Sequence, residues 1–113
     1  MAATLYAFVS LGLLFLVLAL PLMLRWVKPN PLYGFRTPKT LSDPLIWYDS
    51  NAYAGRLLVG TSVLILVMAI GLYYLVPNLP PTVYVLAMGV VTVAGVLASL
   101  FQALRYLRRF DGQ

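Results

Sequence analysis

The chain has 113 residues, 62% of them hydrophobic and 10% charged, with a formal net charge of +5 and neither cysteine nor histidine. This balance excludes an ordinary soluble domain, and the missing residue types exclude disulfides, thiolate nucleophiles, imidazole bases and the usual zinc or haem ligands. The basic residues gather around the ends of apolar runs instead of forming a separate basic surface, so anionic membrane lipids, not nucleic acid, are the expected partners of the positive charge.

Three apolar runs are each long enough to cross a hydrocarbon core, which takes about 20 helical residues. The first, residues 4–24, has no basic residue ahead of it and is longer than the apolar region of a secretory signal. Pro21 near its end is tolerable in a membrane helix. Arg25, Trp26 and Lys28 follow at once, an interfacial boundary and lipid anchor in which the ring sits at head-group depth and the cations reach water.

Residues 26–41 are too polar and too rich in proline to span, and Pro29, Pro31 and Pro38 each bias the preceding residue away from helix. An ordered loop held by Tyr33, Phe35 and Leu41 is expected. A helix should then start at Ser42-Asp43-Pro44, with Ser42 capping, Asp43 at the positive end of the dipole and Pro44 in the first turn. No proline follows until Pro77, so this helix is too long for the membrane core: its first third must lie outside or bend onto the interface near Gly55. Residues 57–76 form the second span. Trp47, Asn51 and Gly55 share one helical face, onto which the 30–41 loop is expected to fold.

The uncharged turn Pro77-Asn78-Leu79-Pro80-Pro81 leads to a third span over residues 82–104. Within it Gly95 and Ser99, and likewise Ala94 and Ala98, have the small-xxx-small spacing of close helix packing, either inside the three-helix unit or at a dimer seam. Arg105, Arg108 and Arg109 close it as a second cationic lipid and topology anchor. All eight Lys and Arg residues fall on the loop between the first two spans, its flanks, or the tail. The positive-inside rule therefore expects the N-terminus outside and the 25–56 stretch and C-terminus in the cytoplasm.

Asn30, Tyr33-Gly34-Phe35-Arg36-Thr37, Thr40, Ser42, Trp47, Asn51 and Ala54-Gly55, set between a first span and a helix entering the second, resemble the signature of the SdpI-type immunity family of prokaryotic membrane proteins. The three-span context makes the chain similar to a short form of that family. The resemblance implies a multi-pass cell-membrane protein that protects against a secreted peptide toxin, or signals its presence, without catalysis or cofactor. It points to Asn30, Gly34, Arg36, Thr37, Thr40, Trp47, Asn51 and Gly55 as the functional stretch. A peptide toxin, a cytoplasmic regulator, a membrane-protein partner or a second copy of the chain are the partners it admits.

Each residue also has a plainer reading. Arg36 suits a bidentate anion, or it ties the loop to Asp43, Asp49 or backbone carbonyls. Asp43 and Asp49, six residues apart on a helix, do not form a two-carboxylate site; capping for Asp43 and pairing of Asp49 with Arg36 or Lys39 are expected. Trp47, Tyr48 and Tyr53 form either a peptide platform or interfacial anchors. Asn51 needs a hydrogen-bond partner, and the loop is the expected one. Thr61, Ser62, Thr92 and Ser99 are expected to be satisfied within their own helices. No span carries a central ionisable residue, which argues against a channel. A small accessory subunit of a larger membrane complex is the alternative to immunity or signalling.

Overall fold

The computed structural model describes residues 2–110. Among them the protein is all-α, an integral membrane bundle of three long apolar helices: α1 (Ala2–Met23), α3 (Pro44–Leu75) and α4 (Pro81–Leu107), with a short α2 (Pro38–Ser42) and a 3-10 turn (Arg108–Phe110). The central helix is α3, which packs against α1 on one side and α4 on the other, while α1 and α4 scarcely meet. At about 1.5 Å per residue its 32 residues are longer than the membrane's hydrocarbon core of about 30 Å.

Local chemistry sets the ends of these elements. The last turn of α1 closes with Arg25 donating its N–H to the Leu22 carbonyl and Trp26 donating to the Pro21 carbonyl, the pairing of a Schellman ending. Arg25 takes the left-handed position at φ 63°, where glycine is usual and an L residue costs about 1–2 kcal/mol. Pro21 lies inside α1 without ending it.

Asp43, not Ser42, caps α3: its Oδ1 accepts from the Leu45 N–H at 2.8 Å, with Pro44 at the first helical position. Ser42 instead donates its hydroxyl to the Lys39 carbonyl at 2.6 Å, because it closes a helix that the loop reading did not include. That helix, α2, opens with a capping box. Thr40 N–H donates to Thr37 Oγ1 at 3.1 Å and Thr37 N–H donates to Thr40 Oγ1 at 2.7 Å. A threonine hydroxyl thus stands where the motif usually has Glu or Gln.

The apolar core gathers at the end of the bundle remote from the loop, where Leu5, Ile65, Ala69, Tyr84 and Met88 are buried together. Tyr84 donates its hydroxyl to the Ala69 carbonyl at 2.8 Å and meets Phe8 edge-to-face. Midway along α3, Thr61 Oγ1 donates to the Gly95 carbonyl at 3.3 Å and lies 3.0 Å from Ser99 Oγ. Thr61 and Ser99 therefore join α3 to α4 and are not satisfied within their own helices, unlike Ser62 and Thr92, which bond the Leu58 and Met88 carbonyls. The two small-residue pairs also separate: Gly95 and Ser99 face α3, whereas Ala94 and Ala98 are exposed.

Gly55 fixes the crossing of α1 and α3. A Cβ there would lie 2.6 Å from the Met23 backbone nitrogen and 3.0 Å from the Ala19 carbonyl oxygen, so only glycine admits this approach. Helix α3 runs through Gly55 unbroken, so of the two expected arrangements the helix does not break at that position, and the end of α1 rests on it there.

Candidate functional site

The stretch from Asn30 to Gly55 folds as one cap over the motif-bearing end of the bundle, and Asn51 holds it. Its Oδ1 accepts from the Phe35 N–H at 2.6 Å, and its Nδ2 donates to the Phe35 carbonyl at 3.2 Å and the Trp47 carbonyl at 3.0 Å. One carboxamide, 2% exposed, thus satisfies both backbone groups of Phe35 as a neighbouring strand would. Gly34 makes this approach possible. Its φ is +118°, and a Cβ would stand 2.8 Å from Asn51 Oδ1 and 3.1 Å from the Trp47 ring. Both the backbone conformation and the space demand glycine.

Trp47 is fully buried and donates its indole N–H to the Val27 carbonyl at 2.9 Å. It is therefore neither a peptide platform nor an interfacial anchor but the floor of the loop. Trp26, by contrast, is 71% exposed. Tyr53 stacks on Tyr106 of α4 with centroids 4.2 Å apart.

The loop has its own internal ties. Asn30 Oδ1 accepts from the Leu32 and Tyr33 amides at 2.9 and 2.7 Å, an Asx turn. Tyr33 donates its hydroxyl to the Leu18 carbonyl of α1, and burial raises its phenol pKa above the ordinary value, keeping it protonated as that bond requires. Lys39 donates to the Phe110 carbonyl at 2.8 Å, joining α2 to the end of α4.

Arg25 pairs with Asp49 at 2.7 Å, so the expected partners of Asp49, Arg36 and Lys39, are displaced. The reason is placement: the left-handed turn at Arg25 brings its guanidinium beside the first turns of α3. Arg36 bonds neither Asp43 nor Asp49; its Nε donates to the Asn30 carbonyl at 3.1 Å and the residue remains exposed.

The motif residues thus divide. Thr40, Trp47, Asn51 and Gly55 are buried and build the cap, Asn30, Gly34 and Thr37 shape its backbone, and Arg36 is the cation it presents to solvent. Arg25, Trp26, Lys28, Arg105, Arg108 and Arg109, the residues expected to act as anchors, are all exposed at this same end. Among the described residues no group of His, Cys, Asp or Glu is arranged to hold a metal.

Beneath the cap lies an apolar cleft of about 380 Å³ between α1 and α4. Tyr33, Gly34 and Phe35 roof it, Ala54 and Leu58 of α3 form its back, and Leu18 and Val96 stand on its opposite walls. Its volume is within the range of small-ligand sites.

A family profile described as the SdpI/YfhL protein family matches residues 26–101, from just after α1 through the cap and α3 into α4. The chain belongs to this family. Neither a curated protein nor a solved structure matches it. The stretch that the SdpI/YfhL profile covers contains every residue of the cap, including the Asn51 bonds and the Gly34 turn.

The sequence reading missed the Arg25–Asp49 pair, the Trp47–Val27 bond and the Tyr53–Tyr106 stack. Thr37-Pro38-Lys39-Thr40, with proline at the first helical position, was the legible signal for α2. The other contacts carry no local signal, since they join segments 20 or more residues apart.

Asn51→Leu should leave the Phe35 amide and carbonyl unpaired, at a cost of about 1–3 kcal/mol. In detergent, limited proteolysis should then cut residues 28–37 much faster than in the wild type. Asp49→Asn, which breaks a part-exposed ion pair worth ~1 kcal/mol or less, should leave the loop resistant.

Proposed function

We propose that this SdpI/YfhL family member is a non-enzymatic immunity or signalling protein whose cleft receives an apolar peptide segment inserted in the membrane. Entry of a peptide between α1 and α4 presses on Tyr33, Gly34 and Phe35, and so on the cap. The Asn51 and Lys39 bonds pass the displacement to α3 and the end of α4. Arg36 and the neighbouring surface of the cap then offer a changed face to a cytoplasmic or membrane partner.

The observation that carries this reading is that the motif loop forms the roof of the cleft, so nothing can fill the cleft without touching the motif. The topology that accompanies it puts the protein in a prokaryotic cell membrane with the N-terminus outside and the cap in the cytoplasm. The distribution of all eight basic residues supports this orientation. A toxin from outside then reaches the cleft only through the lipid-facing gap between α1 and α4.

One observation favours the accessory-subunit reading instead. Gly60, Gly71 and Gly89 have nothing near the position of a Cβ, and glycine inside a helix costs about 0.5–1 kcal/mol relative to alanine. Room for a further helix backbone explains that cost. Purification in mild detergent distinguishes the two: a stoichiometric larger partner supports the accessory role, and a chain purified alone or with copies of itself opposes it.

Cells carrying the protein should survive a sporulation-delaying type of peptide toxin better than cells without it. Val96→Phe, which fills the cleft, should accumulate normally yet give no protection. Full protection by Val96→Phe, or equal sensitivity with and without the gene, contradicts the proposal. Because the chain lacks cysteine, Asn78→Cys and Ser42→Cys each provide a single thiol for topology. A membrane-impermeant maleimide applied to intact cells should label the first and not the second; the reverse pattern inverts the orientation.

A further inference from the structure

On the face of α3 and α4 turned away from the cleft, four arginines surround a pair of stacked tyrosines. Tyr53 of α3 and Tyr106 of α4 lie parallel, with centroids 4.2 Å apart and planes 8° from parallel. Arg56 sits over Tyr53 at 5.8 Å and Arg109 over Tyr106 at 5.1 Å. The order Arg56, Tyr53, Tyr106, Arg109 makes a stack that ties the two helices together and holds two guanidiniums in place. Arg105 and Arg108 join Arg109 along a groove of about 800 Å³ beside this stack, with Phe101 at its other end.

This charge has no counterpart within the described protein. Of the three acidic residues, Asp49 pairs with Arg25 and Asp43 caps α3, while Asp111 lies outside the described residues. Four exposed cations at one membrane boundary repel one another unless an anion lies among them. The groove also has a direction. Phe101 lies one helical turn toward the membrane from Arg105, and Leu97 one turn further; they are 65% and 58% exposed. Cations above and an exposed apolar strip below match a molecule with an anionic head and hydrocarbon chains.

We propose that this groove is a discrete binding site for one anionic glycerophospholipid. Its phosphodiester lies among Arg105, Arg108 and Arg109, and an acyl chain runs over Phe101 and Leu97. Guanidinium suits a phosphate oxygen pair in a bidentate manner. The tyrosine stack is the positioning element, since it fixes Arg109 and the spacing of α3 and α4 before the lipid arrives. Free phosphate or a nucleic acid would make no use of the Phe101–Leu97 strip. The site is independent of the peptide cleft, which opens on the opposite side of these helices, and neither reading requires the other.

Native mass spectrometry of the detergent-purified full chain, titrated with palmitoyl-oleoyl phosphatidylglycerol or with phosphatidylcholine of the same chains, tests this. The wild type should retain one phosphatidylglycerol with a preference of about tenfold or more. Arg105→Gln with Arg109→Gln should abolish the preference. Lys28→Gln, which removes an exposed cation away from the groove, should keep it. Tyr106→Leu should weaken retention while Tyr106→Phe, which preserves the stack, should restore it. Equal retention of both lipids by the wild type overturns the proposal. So does a preference that survives the double Arg variant, or one that Lys28→Gln reduces as much as that variant does, because each outcome means diffuse interfacial charge and no site.

Discussion

The bidentate grip of the Asn51 carboxamide on the Phe35 backbone is the interaction on which the motif-bearing end of this protein depends. A loop rich in proline has few ways to satisfy its own amides, and at a membrane boundary an unsatisfied group is expensive. Asn51 answers for both polar groups of one residue and also bonds back to its own helix. Gly34 supplies the close approach, Trp47 the floor, and the Asx turn at Asn30 the entry. Gly34, Asn51 and Trp47 are interlocked: a side chain at position 34 would collide with both Asn51 and Trp47.

This arrangement gives the stretch from Asn30 to Gly55 a physical meaning. Most of its residues are internal struts, and the face they create consists of Arg36 and the exposed backbone around it. Several ties spread from the cap into the spans: Arg25 to Asp49, Trp47 to Val27, Tyr33 to the Leu18 carbonyl, and Lys39 to the Phe110 carbonyl. Through them α1, α3 and α4 all end on the same loop. A shift between spans is therefore felt there, as the proposed signalling role requires. The left-handed Arg25 fits this view, since its unfavourable backbone is held by the Schellman bonds on one side and Asp49 on the other.

Much of this was legible in the sequence. Composition and run length led to three helices, Pro44 and Pro77 to the bounds of the long central one, and helical spacing to the shared face of Trp47, Asn51 and Gly55. That face, and the loop folded on it, are as the spacing indicates. Three kinds of feature were not legible. The hydrophobic signal could not tell an interfacial tryptophan from a buried one, because Trp47 and Trp26 both flank spans and differ only in what the loop covers. Ion pairing depended on the Arg25 turn, which no local rule anticipates for arginine. Thr61 and Ser99 bond across helices because Gly95 lets them meet, a consequence of packing and not of either helix alone.

The cap is a defined structure only if the Phe35 amide is held. Hydrogen exchange of that amide, measured residue by residue in detergent micelles or nanodiscs, tests this most directly. The account predicts slow exchange at Phe35, comparable with the first turns of α3 and well below that of the neighbouring Arg36 amide, for which no acceptor is present among the described residues. Exchange at Phe35 as fast as in an unstructured peptide would contradict it, and with it the picture of a cap through which the spans are coupled.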